Sequence, residues 1–375
     1  MHPIKFIHCA DIHIGKRSRY LGALSAVRQS EILLTLERIC NLATSENVQL
    51  LLIAGDLFDS NNVEKELIER TFSILGAIAP IKVVIAAGNH DPLNSVSVYR
   101  SERLPENVFI LNTEASAFEF DDIRTCIYGY SFSEVYTKSE PKFSITPKAD
   151  GYNNILLLHA DTASPNSVYN GISPEFISSS GMDYIALGHI HKRSEPQKLG
   201  NTLFAYSGCP EGQGFDELDE KGVYLGEIAG NTISLDFVCV CSRMHLLKRI
   251  SLNGCSNESE IISNVLESVR RIDGYSKHLY KIVLDGSLPE GLCVSVAEIS
   301  SRLNSEVFFA KVRDNTKISL DYELIAQENS LRGIFVQRML SRKLQASPDE
   351  LDIIENALNI GLRAFFTEVK YRDDQ

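Results

Sequence analysis

The sequence predicts an α/β fold: a largely parallel core sheet covered by helices, then a small α+β module, then a helical hairpin. Three observations predict it. Over residues 1 to about 235, short apolar runs alternate with stretches of helical period. Five of those runs break off at clusters rich in Asp, His and Asn. Beyond them the pattern shortens to strand–helix–strand–helix–strand and ends in two amphipathic segments.

The first run, Phe6 to Ala10, ends in Asp11-Ile12-His13. Ala26 to Thr44 then places Val27, Ile32, Leu33, Leu36, Ile39 and Cys40 at helical spacing. Leu50 to Ala54 ends in Gly55-Asp56-Leu57-Phe58-Asp59, and Val63 to Ile78 is again helical in period. Ile81 to Ala87 ends in Gly88-Asn89-His90-Asp91. Ile155 to Leu158 leads into His159, and Tyr184 to Leu187 stops at Gly188-His189-Ile190-His191. Short, wholly apolar runs suit strands buried on both faces. In open α/β sheets reactive groups gather at the carboxyl edge of such strands. Further strands are expected at Val108 to Leu111, Ala117 to Phe120, Cys126 to Tyr130, Thr202 to Tyr206 and Gly222 to Ile228, with a loop-rich interval from Phe132 to Asn153.

A boundary is expected near Gly230 to Phe237, which divides the chain into 1–235, a βαβαβ module at 240–315 and helices at 317–375. In the last part Ser347-Pro348-Asp349-Glu350 reads as a capping box. The helix it opens carries Leu351, Ile354, Leu358, Leu362, Phe365 and Val369 as one stripe. That hairpin either packs on its own domain or leaves apolar surface for a partner.

Length and composition bound the function. At 375 residues, 44% hydrophobic and 23% charged, the chain is an ordinary globular protein of two or three domains. No apolar run reaches the length of a membrane span, and the first residues lack a signal-peptide pattern. Eight cysteines, scattered singly apart from Cys239 and Cys241, fit reduced thiols in a cytoplasmic protein. A net charge of −12 argues against nucleic-acid binding over the whole surface. Local charge differs, because Lys16, Arg17, Arg19 and Arg28 follow the first motif and Lys192, Arg193 and Lys198 the last. There is no G-x-x-x-x-G-K-[ST], so P-loop ATP hydrolysis is not expected.

The five strand ends together offer carboxylates, imidazoles and one amide. Single members are weak evidence: His8, inside the first strand, reads as a core histidine, and His245 and His278 as isolated structural ones. The ordered set is specific. Such donors suit manganese, with iron or zinc as alternatives, better than magnesium. Two cations about 3.5–4 Å apart clamp an in-line displacement at phosphorus, and Asp56 could bridge them. A sugar alkoxide is a poor leaving group, so a proton donor is needed; His90 is placed for it, with Asp59 or Asp91 to orient its imidazole.

These motifs resemble the calcineurin-like metallophosphoesterases over roughly residues 4 to 230. The resemblance implies a sandwich of sheets flanked by helices and a two-metal site. Asp11, His13, Asp56 and His191 would hold one ion, and Asp56, Asn89, His159 and His189 the other. It also favours Asp59 as the partner of His90. Within the family, HCADIHIG, AGDLFDS, GNHD, GHIHKR and YSGCPEGQGFDELDEKGVYLGEI are similar to the SbcD/YhaO-like DNA repair exonucleases. That branch implies a DNA substrate, a capping domain in the 240–315 module, and an SbcC-like coiled-coil ATPase docked on the terminal helices. It leaves a homodimer open. Two alternatives are a small-molecule phosphodiesterase or phosphatase, and a scaffold without turnover. GDLFDS lacks the arginine that follows the second Asp in protein phosphatases, and intact donors at all positions speak against a scaffold.

Overall fold

The computed structural model describes residues 3–101, 103–136, 146–149, 151–230, 232–319 and 322–365. The chain forms two compact units, Met1–His245 and Leu246–Gln375.

The first unit begins β1 (Ile4–Cys9), α1 (Ser25–Ser45), β2 (Leu50–Ala54), α2 (Lys65–Gly76) and β3 (Lys82–Ala86). It continues with α3 (Val98–Ser101), β4 (Val108–Ile110), β5 (Ser116–Phe120), β6 (Thr125–Gly129), β7 (Asn153–His159) and α4 (Pro174–Ser179). Last come β8 (Tyr184–Gly188), β9 (Gln197–Leu199), β10 (Thr202–Tyr206), β11 (Gly222–Ala229) and β12 (Thr232–Cys239). Two six-stranded sheets result, in the orders β12-β11-β1-β2-β3-β4 and β5-β6-β7-β8-β10-β9. β1 to β4 run parallel, as do β6, β7, β8 and β10; β11 pairs antiparallel with β1 and with edge strand β12, and β5 and β9 are antiparallel edge strands.

Alternation along the central strands sorts their side chains into layers. Ile7, Leu51, Ile53, Val83 and Ile85 pack with Ile32, Leu36 and Ile39 of α1 and Ile68, Phe72 and Leu75 of α2. Phe6, Leu50, Leu52, Val84 and Ala86 point the other way, against Ile155, Leu157, Tyr184 and Ala186 of the second sheet. The far face of that sheet, with Leu156, Leu158, Ile185 and Leu187, is covered by Ile177 of α4. The layers are helix, sheet, sheet, helix, which is the fold class expected from the sequence. His8 lies in the gap between sheets: Tyr184 Oη meets its Nδ1 at 2.7 Å and Leu187 O its Nε2 at 3.1 Å. Burial pushes its pKa down to about 3, so the ring is a neutral core group.

The register brings the motifs to one edge. Cys9 lies opposite Ile53, Ala54 opposite Ala86, and His159 opposite Gly188. Past the strand ends the ladder persists, with Asp11 N–H donating to Gly55 O and His13 N–H to Asp56 O, both at 3.0 Å.

Three details differ from expectation. α2 starts at Lys65. α4, capped by Ser173 accepting from Phe176 N–H, lies where only loop is expected. Edge strand β12 occupies residues where a domain boundary is expected. Within the Phe132 to Asn153 interval, residues 137–145 and 150 lie outside the described residues.

The second unit holds β13 (His245–Ser251), α5 (Glu258–Arg270), β14 (Leu279–Asp285), β15 (Ser287–Leu288), α6 (Val296–Glu306), β16 (Phe309–Asp314) and β17 (Lys317–Ile318). The helices α7 (Tyr322–Ala326), α8 (Leu331–Lys343) and α9 (Pro348–Ala364) follow. The sheet β13-β14-β16 packs Ile250, Tyr280 and Ile282 against Val265 of α5 and Ile299 and Leu303 of α6. A second core joins Ile325, Val336, Leu358 and Leu362. The Glu350 carboxylate accepts from Ser347 N–H at 3.0 Å, as a capping box requires. Leu324, Leu331, Leu344 and Ile353 remain exposed on these helices. Val369, the last apolar position of the expected stripe, lies outside the described residues. Among the described residues, no helix is long and apolar enough to cross a membrane.

Candidate metal centre

The loops leaving β1, β2, β3, β7 and β8 turn sharply to aim short polar side chains at one point. Asp11, His13, Asp56 and His189 adopt φ of 54°, 53°, 50° and 94°. This left-handed region is uncommon outside glycine, though Asp, Asn and His enter it most readily, and it concentrates at functional sites. Two glycines make room. A Cβ on Gly88 would stand 2.1 Å from Asp56 Oδ1, and one on Gly55 2.1 Å from His159 Nδ1. The hollows that seat the carboxylate and the imidazole exist because those positions carry no side chain.

Donor atoms of Asp11, His13 and His191 lie within 4.8 Å of one another, as do those of Asp11, Asp56 and His159 and those of His13, Asp56 and His90. His13 Nε2 is 3.1 Å from His191 Nε2. Asp56 Oδ2 is 3.4 Å from His159 Nε2 and 3.8 Å from His13 Nε2, so this carboxylate stands between the two groups. Asn89 Oδ1 is 2.9 Å from His159 Nε2. His159 Nδ1–H donates to Ala54 O at 2.9 Å, which turns Nε2 toward the other donors. The His189 ring rests on His159 and Tyr169 at centroid distances of 5.1 and 4.7 Å, and the main-chain N–H of His189 donates to both Asp11 oxygens. Among the described residues its imidazole joins none of the tight donor groups.

The electrostatics fit cations. Asp11, His13, Asp56 and His159 are all buried. Burial pushes the Asp11 carboxyl up, partly offset by His159, His191 and His13. Burial acts likewise on Asp56, but His159, His13 and His90 outweigh it and hold that carboxyl below the usual range. Burial would lower His159, yet Asp56 and Asp11 raise it to about 9. His189 falls to about 4, through burial and then the charge of His159. Two buried carboxylates ringed by imidazole nitrogens and an amide oxygen demand positive charge, and the mixed oxygen and nitrogen donors suit divalent cations. The Asp/His clusters fit a dinuclear metal site.

Around this centre His90 is exposed, and its Nδ1–H donates to the main-chain oxygen of Asp59 at 3.0 Å. The Asp59 carboxylate is 3.9 Å from the same nitrogen, 3.4 Å from His13 Nδ1 and 3.0 Å from Lys16 Nζ. Asp91, the other carboxylate considered for His90, is buried and accepts from Gly88 N–H, Phe58 N–H and Tyr99 Oη–H. It ties the GNHD loop to the GDLFD loop. Burial, then Asp56, raises its pKa to about 6.

Two neighbours went unread in the sequence. Glu217 Oε1 meets His191 Nδ1 at 2.5 Å, and Cys209 Sγ lies 3.4 Å from Glu217 Oε2. Both sit in a breaker-rich stretch with no periodic signal. Arg28 is no surface cation: it is buried on Glu31 and Glu211 at 2.6 and 2.8 Å. His245 pairs with Tyr20 Oη at 2.7 Å and, among the described residues, belongs to none of the donor groups.

Fold and site together define a phosphoester hydrolase built for two cations. Residues 4–193 match the calcineurin-like phosphoesterases, and the chain belongs to that family. It is a metal-dependent phosphodiesterase. It is similar to the uncharacterized metallophosphoesterase YhaO of Bacillus subtilis (strain 168), 25% identical over 77% of this chain and 73% of that protein. It is 24% identical to the DNA double-strand break repair protein Mre11 of Sulfolobus acidocaldarius, over 85% of each chain. One component of the nuclease SbcCD, from Staphylococcus epidermidis, is 26% identical over 61% of this chain and 67% of its own.

Gly88→Ala is expected to drive the Asp56 carboxylate out of its seat and lower the number of divalent ions bound per chain. Metal analysis after dialysis against the cation reads this; unchanged stoichiometry would show that Asp56 does not depend on the hollow.

Proposed function

We propose that the chain is a manganese-dependent nuclease that hydrolyses DNA phosphodiester bonds in repair, as an exonuclease with endonuclease cleavage as a second mode, beside an SbcC-like coiled-coil ATPase. Residues 1–235 form the nuclease domain, 240–315 a capping domain, and 317–375 the ATPase-docking segment in this reading. The observation that carries it is a cleft of about 970 Å³ that opens beside Asp59. Its wall includes Lys16, Arg17 and Arg19, three cations in a chain of net charge −12. Lys16 and Arg17 are paired with Asp59 and Glu64, and Arg19 stands exposed. Cations along a groove leading to a phosphoryl-transfer centre suit a polymer of phosphodiesters better than a small ester. The relatives named for DNA break repair and for an SbcCD nuclease support the same reading.

In the proposed chemistry Asp11, His13, Asp56 and His191 would hold one ion, and Asp56, Asn89, His159 and His189 would hold the other. Bound divalent ions supply charge to the phosphoryl oxygens and make water acidic enough to attack near neutral pH. The protein's own part is positioning and proton transfer. His90 donates a proton to the departing sugar oxygen from Nε2, because Nδ1–H is engaged by Asp59 O. Asp59 spans His13, Lys16 and His90, so one side chain sets the mutual placement of an ion ligand, a cleft cation and the acid. Asp91 holds the loop that carries His90 and keeps Asn89 facing His159. The exposed Leu324, Leu331, Leu344 and Ile353 offer the apolar surface on which the ATPase docks.

His90→Ala should abolish cleavage of labelled duplex and single-stranded DNA in manganese while metal content stays at the wild-type level. Full activity would remove His90 as the acid, and turnover of a phosphopeptide or chromogenic diester with no DNA cleavage would overturn the nuclease reading. Replacing Arg17 and Arg19 by alanine should weaken DNA binding and flatten its log–log salt dependence by roughly 1 per lost phosphate contact; an unchanged slope puts the DNA elsewhere. Truncation after Ser347 should weaken capture by the ATPase in a pull-down while metal content is retained. Normal capture would rule out docking through α9.

A further inference from the structure

The geometry points to Glu217 as the positioning residue that fixes the His191 imidazole for cation binding, an inference that rests on the two-cation reading of the site. His191 needs such a residue more than its neighbours do. It follows the last glycine of the GHIH loop, and its side chain is 29% exposed, against 1% for His13 and 0% for His159. Packing therefore holds its ring less completely than theirs. The restraint comes from Glu217, whose Oε1 takes the His191 Nδ1–H at 2.5 Å, a close contact between an imidazole N–H and a carboxylate. With the proton on Nδ1, the lone pair sits on Nε2. That atom faces His13 Nε2 at 3.1 Å and Asp11 Oδ1 at 3.9 Å. A carboxylate on the far nitrogen of a ligating histidine sets both tautomer and ring plane.

The carboxylate is itself held. Glu217 Oε2 accepts from Gln213 N–H at 2.8 Å and from the buried Cys209 thiol at 3.4 Å. Cys209 N–H donates to His191 O at 3.1 Å, so the same turn grips the main chain of the residue it orients. Between them Glu211 is sunk into the core. It meets Arg28 at 2.8 Å, Thr35 Oγ1 at 2.8 Å and Ser242 N–H at 2.7 Å. The segment from Cys209 to Glu217 is thus a bracket bolted to α1, with its free end on His191. Glu217, Cys209 and His191 also lie close enough to hold an ion of their own. The bond already made through Nδ1 argues for orientation instead, because an ion there would need that same nitrogen.

The test titrates metal-free full-length protein with Mn²⁺, reading free ion by its electron paramagnetic resonance signal, and repeats the titration with Co²⁺ by visible absorption. Wild type should bind two Mn²⁺. Glu217→Ala should bind one of them roughly 10–100-fold more weakly, with an altered Co²⁺ spectrum and the other ion unaffected. Glu217→Gln retains an oxygen for the Nδ1–H and should lose less, so recovery in that variant separates orientation from loop anchoring. If Glu217→Ala does not fold, Glu217→Gln carries the test through a loss of affinity smaller than 10-fold. Wild-type affinity for both ions in the folded variants overturns the inference, and so does a third ion in wild type that either variant removes. Fewer than two ions in wild type would instead overturn the two-cation reading on which it rests.

Discussion

Two carboxylates, Asp11 and Asp56, are sunk almost completely into the protein where the strands end, and this is the interaction on which the site is built. Buried charges of one sign are tolerated only with opposite charge beside them. Here His13, His159 and His191 provide it in part, at separations between 3.4 and 3.9 Å. The imidazoles cannot act as proton carriers and as cation ligands at once. The arrangement is therefore balanced against divalent ions, and its cost without them falls on the elements that hold the ring of donors together.

Those elements divide the task. Parallel registers bring five strand ends level, left-handed backbone at Asp11, His13 and Asp56 bends the chain inward, and bare positions at Gly55 and Gly88 leave space for the groups that arrive. A further shell then removes the remaining freedom. Ala54 O fixes His159, Asp91 fixes the loop bearing Asn89 and His90, and Glu217 meets His191. Apart from the local Gly88–Asp91 bond, these contacts join residues far apart in the sequence, Asp91 included through Phe58 N–H.

That separation explains what was legible beforehand. The strands β1, β2, β3, β7 and β8 announce themselves because strands covered on both faces are apolar throughout, and the donors follow directly along the chain. The core character of His8 was equally readable from its place inside a strand. Edge strand β12 was not read as a strand, although Ile233 and Leu235 alternate with polar residues and pack against the core. Its apolar face is only half-buried, and it falls where a domain boundary was expected. Six-residue α4 is too short for a helical period to emerge. Arg28 looked like a member of a surface cluster, and only the fold sets Glu211 against it. Glu217 has no local mark at all; its importance lies in a contact 26 positions away. The residues alone left Asp59 and Asp91 open as partners for His90 and the resemblance favoured Asp59; in the fold Asp91 is engaged by three hydrogen bonds of its own.

The two sheets also meet unusually closely at this edge. A Cβ on Gly188, at the end of β8, would lie 1.8 Å from Ala54 O on β2, and His159 of β7 reaches across to the same carbonyl. Stacked sheets ordinarily stand about 10 Å apart, so here the sandwich is pinched nearly shut. Asp11, His13, Asp56 and Asn89 ride on one jaw and His159 and His191 on the other, which makes the cage a caliper across the gap. Any change that slides or spreads the jaws would alter the spacing of the donors.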